Sequence, residues 1–188
     1  KNKKNIAEIN QIKIYVSLNS LFSVKNFNIN EVILEKANFE LNNQNSDFFF
    51  KILNNNFLDA NLKIKNSNFF FRNSEKEVLF INKIKNMNYY YDQSELKNIL
   101  YSENEIFNTH FSLEVIDDED KKKIYSKLNL DFAKLQIENI FNYDLETKSG
   151  LANLFFNKKK SSVNYKINKN FFEFDYYDEL EKKKFLYN

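Results

Sequence analysis

Cysteine, proline and tryptophan are absent from this chain of 188 residues, and glycine occurs only once. Without cysteine there can be neither a disulfide framework nor a thiolate metal site, and the redox compartment stays open. One glycine, Gly150, cannot build the glycine-rich turns whose backbone N–H groups cradle phosphate. The composition therefore argues against nucleotide-dependent chemistry.

Histidine and net charge are also scarce. His110 is the only histidine, so a Ser-His-Asp site could form only around it, and nothing upstream resembles a nucleophile elbow. The 28 basic residues are nearly balanced by 26 acidic ones, which leaves a net charge of +2. Such a chain has no broad field to attract nucleic acid or an anionic membrane. We expect no enzyme, no cofactor, no metal site and no nucleic-acid partner.

Two kinds of charge cluster admit other interpretations. The acidic run at residues 117–120 could bind a hard cation, but it lacks the spacing and glycine of an EF-hand, which favours a solvated hairpin loop. The lysine runs at 158–160 and 182–184 have aromatic neighbours, a combination found in single-strand nucleic-acid binders. The near-neutral total argues against that class, which would show strongly salt-dependent binding to oligonucleotides.

No stretch approaches the roughly 20 apolar residues that a membrane-spanning helix needs. The chain starts at Lys1 without a signal-like region, and the missing initiator methionine suggests a fragment of a longer protein. We expect residues 1–188 to form a single β-rich segment, with any membrane anchor outside it.

What the chain has in abundance is an alternation of apolar and polar residues. Leu128, Leu130 and Phe132 share one phase, while Asn129 and Asp131 take the other. Successive side chains of a β-strand point to opposite faces, so this period predicts strands with one apolar face. Much of the apolar bulk comes from 21 Phe and 11 Tyr. Such a face must pack against another layer or against an apolar ligand.

Strand-like segments recur along the chain, at residues 12–18, 27–41, 62–71, 78–84, 87–91, 111–115, 124–132, 135–143, 151–156, 163–167 and 172–176. The first two predict a long hairpin. In the third, Asn66 and Asn68 interrupt the apolar phase, which suggests a bulge. Gly150 is placed in a turn that requires positive φ.

Two short helices are expected between strands. Ser46 and Asp47 precede apolar residues at a spacing typical of a capped helix, and Ser94 precedes Leu96, Ile99 and Leu100 at i, i+3 and i+4. The predicted fold is mainly β. It is a large antiparallel, curled sheet, either an open groove or a partial barrel, of roughly ten strands with one or two short helices.

The first hairpin resembles the AsmA-like family. The residues that carry the resemblance are Ile12–Ser23, with Leu21, Phe22 and Ser23 at the family's Leu-Leu-Ser-like turn, and then Phe27–Glu35 and Ala37–Leu41. Leu62–Arg72 and Val78–Ile84 are similar to the family's repeated units of strand, Asn, short turn and strand. The resemblance extends over about residues 10–175 and involves no fixed catalytic residue.

The resemblance implies a bridge-like lipid-transfer protein of the bacterial envelope, related to AsmA and TamB. Such a protein would be anchored in the inner membrane through regions outside this segment. It would extend through the periplasm, work with other envelope proteins and carry phospholipid acyl chains along an apolar groove between the inner and outer membranes. The implied groove lining is Ile14, Val16, Phe27, Ile29, Leu62, Ile64, Phe70, Leu113, Val115, Leu128, Leu130, Phe132, Leu135, Ile137, Val163, Tyr165, Ile167, Phe172 and Phe174.

A structural or adhesive β-repeat protein is the alternative. An alternating strand is more often the inner face of an ordinary core than the wall of a ligand groove. That alternative predicts a dry core and no bound lipid.

Overall fold

The computed structural model describes residues 6–17, 28–42, 44–45, 60–143, 146–177 and 182–187, the last of these by backbone alone. They form one sheet of twelve strands whose spatial order follows the sequence, and the sheet is not closed into a barrel. The strands are β1 Ala7–Val16, β2 Ile29–Leu41, β3 Asn61–Arg72, β4 Val78–Asp92, β5 Lys97–Ile106, β6 Thr109–Asp118, β7 Lys123–Leu130, β8 Leu135–Asn142, β9 Lys148–Phe156, β10 Lys159–Ile167, β11 Phe172–Tyr177 and β12 Lys182–Tyr187. The predicted mainly β fold is confirmed.

Neighbouring strands pair antiparallel, with one exception. β1 and β2 form the predicted hairpin, whereas β2 and β3 run parallel. Several of the hairpins are closed by tight turns without glycine. Phe107 and Asn108 have φ of 51° and 59°, and Asn157 and Lys158 have φ of 48° and 68°. Two positive φ values in a two-residue loop match the twist of the flanking strands, which explains why these turns are short.

The predicted helix at Ser94 is wrong, because this segment forms the turn between β4 and β5 and the start of β5. Asp92 Oδ1 accepts hydrogen bonds from the backbone N–H of Ser94 at 2.9 Å and of Glu95 at 3.2 Å. Leu96 has a φ of 53° and is exposed. The cap-like serine is therefore part of a turn stabilised by aspartate. The predicted helix after Ser46 lies outside the described residues, and the described residues contain no helix.

The predicted turn at Gly150 is also wrong. Gly150 lies inside β9, paired with Phe141 on one side and Tyr165 on the other, and its φ is not positive. The solvated hairpin loop predicted for the acidic run at 117–120 is only partly correct, because Asp117 and Asp118 end β6 and the turn to β7 covers residues 119–122. Asp118 is buried there and accepts a hydrogen bond from the Lys121 N–H at 3.0 Å.

In β2, β3 and β4 the alternation of side chains between the two faces of the sheet shifts by one residue, and the three shifts lie side by side. Lys36 and Asn66 have φ of 53° and 48°, and the register aligns them side by side. In β3 no residue is inserted at Asn66, because Lys65 pairs with Asn86 and Ser67 with Ile84. The expected bulge instead lies one strand away, in the shift of β4 against β5 between Ile84 and Asn86. The predicted strands 78–84 and 87–91 are thus one bent strand.

The most buried part of the sheet lies at this level. Ala37, Phe39, Ile64 and Ile84 form a buried cluster, with exposures between 0% and 6%. The Phe39 and Phe69 rings stack at a centroid distance of 4.5 Å. Burial of these side chains contributes about 1.5–3 kcal/mol for each large residue. The cluster therefore anchors β2, β3 and β4 to each other.

Candidate functional site

The register of the strands aligns apolar side chains into a continuous line across the sheet. Residues directly opposite each other on paired strands point to the same face. One line, the first row, consists of Ile12, Leu34, Ile64, Met87, Ser102, Leu113, Leu128, Ile137 and Leu154. Every member except Ser102 is apolar. The first row therefore crosses β1 to β9 without a charged residue.

A second row runs beside it on the same face. It consists of Ile14, Val32, Leu62, Tyr89, Leu100, Val115, Ser126, Asn139, Ala152, Val163 and Tyr176. We call the face that carries both rows the apolar face. Neither row contains a Lys, Arg, Asp or Glu as far as β11, whereas the register continues the second row to Lys183 on β12. Over β1 to β11 this face therefore offers an uncharged path perpendicular to the strands.

The opposite face, here the polar face, has a different composition. Its corresponding row is Gln11, Glu35, Lys65, Asn86, Glu103, Ser112, Asn129, Gln136, Phe155 and Lys160. Ion pairs cross the strands here, including Lys13 with Glu35 at 2.6 Å and Lys127 with Glu138 at 3.6 Å. Exposed pairs of this kind contribute little to stability, but they keep this side of the sheet solvated.

The apolar face is most deeply buried over β3 to β5 and more exposed towards both ends of the first row. Across β2 to β6 it walls a cavity of about 520 Å³, a volume typical of ligand pockets. Along the first row the exposed fraction rises from 3% at Ile64 to 40% at Leu154, while Ile12 at the β1 edge is 54% exposed. The face thus has a deep section over β3 to β5 and an open section over β7 to β9.

Many of the residues expected to line a groove lie on the apolar face. Leu62, Ile64 and Leu113 wall the cavity. Outside it, the two rows contain Ile14, Val115, Leu128, Ile137 and Val163. The strand alternation continues this face through Leu130, Leu135, Tyr165, Ile167, Phe172 and Phe174, and the last two rings are 5.5 Å apart.

Other expected lining residues are placed elsewhere. Phe70 points away from Phe69 and Phe71, towards the guanidinium of Arg72 at 5.9 Å from its ring. Phe132 lies in the turn after β7 and is 88% exposed. Val16 and Ile29 pair with each other beyond a register shift at the end of β1 and β2. Phe27 lies outside the described residues.

The cavity wall also includes residues that the sequence did not indicate. Phe39, Phe69 and Phe71 face the cavity because the phase changes at Lys36 and Asn66. Leu100 faces it because residues 97–106 form a strand rather than a helix. The sequence does contain one indication of this shift: Asn66 interrupts the alternation, and asparagine adopts positive φ more readily than most residues.

Polar side chains border the apolar face on the side where the β4–β5 and β6–β7 turns lie. The Tyr89 hydroxyl donates to Asn98 Oδ1 at 3.0 Å, and Asn98 Nδ2 donates to Glu119 at 3.0 Å. Close by, the Tyr143 hydroxyl donates to Asp117 Oδ1 at 2.9 Å. Asn98 is 3% exposed, so its two hydrogen bonds pair amide atoms that are largely shielded from water.

Burial and acidic neighbours keep both phenols protonated. Burial, with smaller contributions from Asp117 and Glu119, raises the pKa of Tyr89 to about 12. Burial, followed by the hydrogen bond to Asp117, raises the pKa of Tyr143 to about 12. Both tyrosines are therefore hydrogen-bond donors at neutral pH and are unsuited to act as bases.

Comparison with known proteins gives no match for this chain: no family model, no curated protein and no solved structure is significantly similar to it. Among the described residues, no three His, Asp or Glu side chains are grouped as a metal site would require. No helix in that part of the chain is long and apolar enough to cross a membrane.

Proposed function

We propose that the apolar face holds lipid acyl chains, and that this chain is a segment of an AsmA-like envelope protein that conducts phospholipid between the inner and outer membranes of a bacterium. The observation that carries the proposal is the first row, which crosses nine strands without a charged residue. The resemblance of the first hairpin to that family also supports the proposal.

The dimensions of the row suit an acyl chain. Strands lie about 4.8 Å apart, so the eight intervals of the row span about 38 Å, which exceeds the hydrocarbon thickness of a bilayer at about 30 Å. Because the path has no charge along it, an acyl chain could move from strand to strand without meeting an ionised group. The phosphate head group would stay at the solvated margin.

The polar face suits the aqueous space that such a segment would cross. Its cross-strand ion pairs and amides stay hydrated while the other face carries lipid. Under this proposal the segment works in the periplasm with other envelope proteins, and contact with the inner membrane is made by regions outside it.

Native mass spectrometry of the segment purified from a bacterial envelope tests the proposal. We expect co-purifying phospholipid in stoichiometric amount, identified after organic extraction. Ile137→Asp, which places a carboxylate on the open part of the first row, should abolish most of this lipid because an ion on the path is poorly solvated by hydrocarbon. Leu130→Asp should act in the same way.

The matched control is Asn153→Asp, which adds the same charge on the neighbouring strand but on the polar face. Asn153 Oδ1 already accepts a hydrogen bond from Ser162 at 2.8 Å, so the carboxylate keeps that contact. Lipid should remain bound to this variant. The proposal would be refuted if the folded wild-type segment carried no lipid. It would also be refuted if Ile137→Asp and Asn153→Asp lost lipid equally.

A structural β-repeat protein is the second candidate, and the buried cluster around Ile64 favours it. Ala37, Phe39, Ile64 and Ile84 pack as an ordinary core would. In that case the apolar face needs no ligand, and the same extraction would recover a folded, lipid-free protein.

A further inference from the structure

Three polar side chains form a hydrogen-bonded chain inside the otherwise apolar cavity. Asn104 Nδ2 donates to Ser102 Oγ at 2.7 Å, and Asn82 Nδ2 makes a longer contact of 3.4 Å with Asn104 Oδ1. Ser102 and Asn104 are only 3% and 5% exposed. Buried amides of this kind are unfavourable unless their polar atoms are paired.

Asn82, at one end of these three hydrogen-bonded side chains, has an oxygen without a partner among the described residues. Asn82 Oδ1 is inaccessible to solvent and accepts no hydrogen bond there, although Asn82 lines the cavity. Rotating the Asn82 amide would not relieve this, since it would bring its oxygen against the Asn104 oxygen. At the other end, Ser102 Oγ accepts from Asn104, which leaves its hydroxyl hydrogen available as a donor.

The cavity therefore presents an acceptor and a donor on an apolar wall, and no charged side chain of the described residues lines it. An ionised head group placed here would lose its hydration without gaining a counter-ion. A hydroxyl group can donate to Asn82 Oδ1 at one end of the three side chains or accept from the Ser102 hydroxyl at the other, so it can pair with either end without bringing a charge. The chemistry of the wall thus favours an uncharged hydroxyl attached to an acyl chain.

We propose that the hydrogen-bonded side chains of Asn82, Asn104 and Ser102 form a subsite for the hydroxyl group of a lipid. The deep section of the apolar face would then select lipids with a hydroxyl beside the acyl chain, such as lysolipids, diacylglycerols or hydroxylated acyl chains. This inference rests on the proposed function, since it names the lipids which that face prefers. The subsite lies where the first row crosses β5, at its one polar member.

Four probes with the same ten-carbon chain separate the subsite from the groove. 1-Decanol carries a donor and an acceptor, decyl methyl ether carries only an acceptor, decane carries neither and decanoate is charged. Their binding to the whole chain is measured by displacement of a neutral solvatochromic dye at pH 8. We expect 1-decanol to bind at least tenfold more tightly than the ether, and decanoate to bind most weakly among the oxygen-containing probes.

Asn82→Leu removes the unpaired acceptor and should abolish the preference for 1-decanol while decane binding is kept. Ser102→Ala removes a donor from which 1-decanol and the ether can both accept, so it should weaken both probes and keep the preference for 1-decanol. Asn82→Ala is the second variant if Asn82→Leu does not fold. Asn129→Leu is the matched control. Asn129 also pairs with a serine, Ser112 at 3.3 Å, but on the polar face, so its loss should leave the preference intact.

The outcomes distinguish the two proposals. Equal binding of 1-decanol and the ether, with decane also bound, would overturn the subsite and leave the groove standing. Tighter binding of decanoate would overturn the selection for an uncharged group. Failure of all four probes to bind to folded protein would overturn both the subsite and the lipid-binding face.

Discussion

The ring of Tyr165 lies over the backbone of Gly150, so closely that a β-carbon at Gly150 would overlap the ring. The two residues are direct partners of β9 and β10. From this position the Tyr165 hydroxyl reaches Asn139 Oδ1 on β8 at 2.8 Å. Glycine is required here by the space that a neighbouring ring occupies, and an aromatic side chain covering a glycine in this way ties three strands together.

Gly150→Ala should therefore destabilise the sheet. The new methyl group displaces the Tyr165 ring and breaks its hydrogen bond to Asn139, a change that costs about 1–3 kcal/mol. Urea denaturation measures this cost. In a Tyr165→Ala background the same substitution should cost much less, because the clash is gone. Ser149→Ala, one residue away, is the control, and equal costs in both backgrounds would contradict this contact.

Alkaline pH should destabilise the protein through Tyr89 and Tyr143. Both have a pKa of about 12 in the folded state against 10.0 ordinarily, so the unfolded chain loses these protons first. Their contribution is fully present below pH 10 and is lost progressively as the pH rises to about 12. Tyr143→Phe should flatten this fall in the free energy of unfolding, measured by urea titration at several pH values.

Tyr101→Phe, at an exposed position on the polar face, is the matched control for the alkaline experiment. The loss of the hydrogen bond to Asp117 lowers the stability of Tyr143→Phe at all pH values, so the comparison uses the slope with pH. An unchanged slope between pH 10 and 12 would contradict the protonated, buried state of this phenol.

Asn66 adopts the left-handed conformation, with a φ of 48°. This region costs β-branched residues about 1–2 kcal/mol, and glycine enters it without strain. Asn66→Val should therefore be less stable than Asn66→Gly by about that amount in thermal or urea denaturation. Asn68, two residues on and without a positive φ, should show the reverse order, because valine suits a regular strand and glycine weakens it. The same order at both positions would contradict the left-handed assignment.

The two sections of the first row should differ in their contribution to stability. Ile64→Ala removes buried methyl groups from the cluster and should cost about 2–5 kcal/mol. Leu154→Ala removes a side chain that is 40% exposed and should cost well under half as much. Urea denaturation of both variants measures the difference. Equal costs would mean that Leu154 on β9 is packed as tightly as Ile64 on β3, and this would contradict the open section of the apolar face.

The period-two alternation predicted most of the strands because it follows directly from the geometry of a strand. Leu113 and Val115, and Leu128 and Leu130, indicated β6 and β7, and the structure confirms both strands. The alternation could not indicate that β2 and β3 are parallel, because direction depends on the connection between them. Nor could it predict β12, whose lysine-rich sequence resembles a solvated end.

The parts of the apolar face that escaped prediction depend on backbone conformation. Lys36 has a positive φ although its side chain gives no sign of it, and from this point Phe39 faces the cavity. The segment around Leu100 has the spacing of a helix face, yet Asp92 stabilises a turn and the segment continues as β5. Gly150 was misplaced because its requirement comes from a ring on the neighbouring strand.

The order of the strands in the sheet is also their order in the sequence. In such a sheet a further hairpin could be added at either edge, since it would pair only with the strand at that edge. Each added hairpin would lengthen both faces by two strand spacings, about 9.6 Å, and leave the existing strand pairs unchanged. The width of the sheet, measured across its strands, is therefore set by the number of strands.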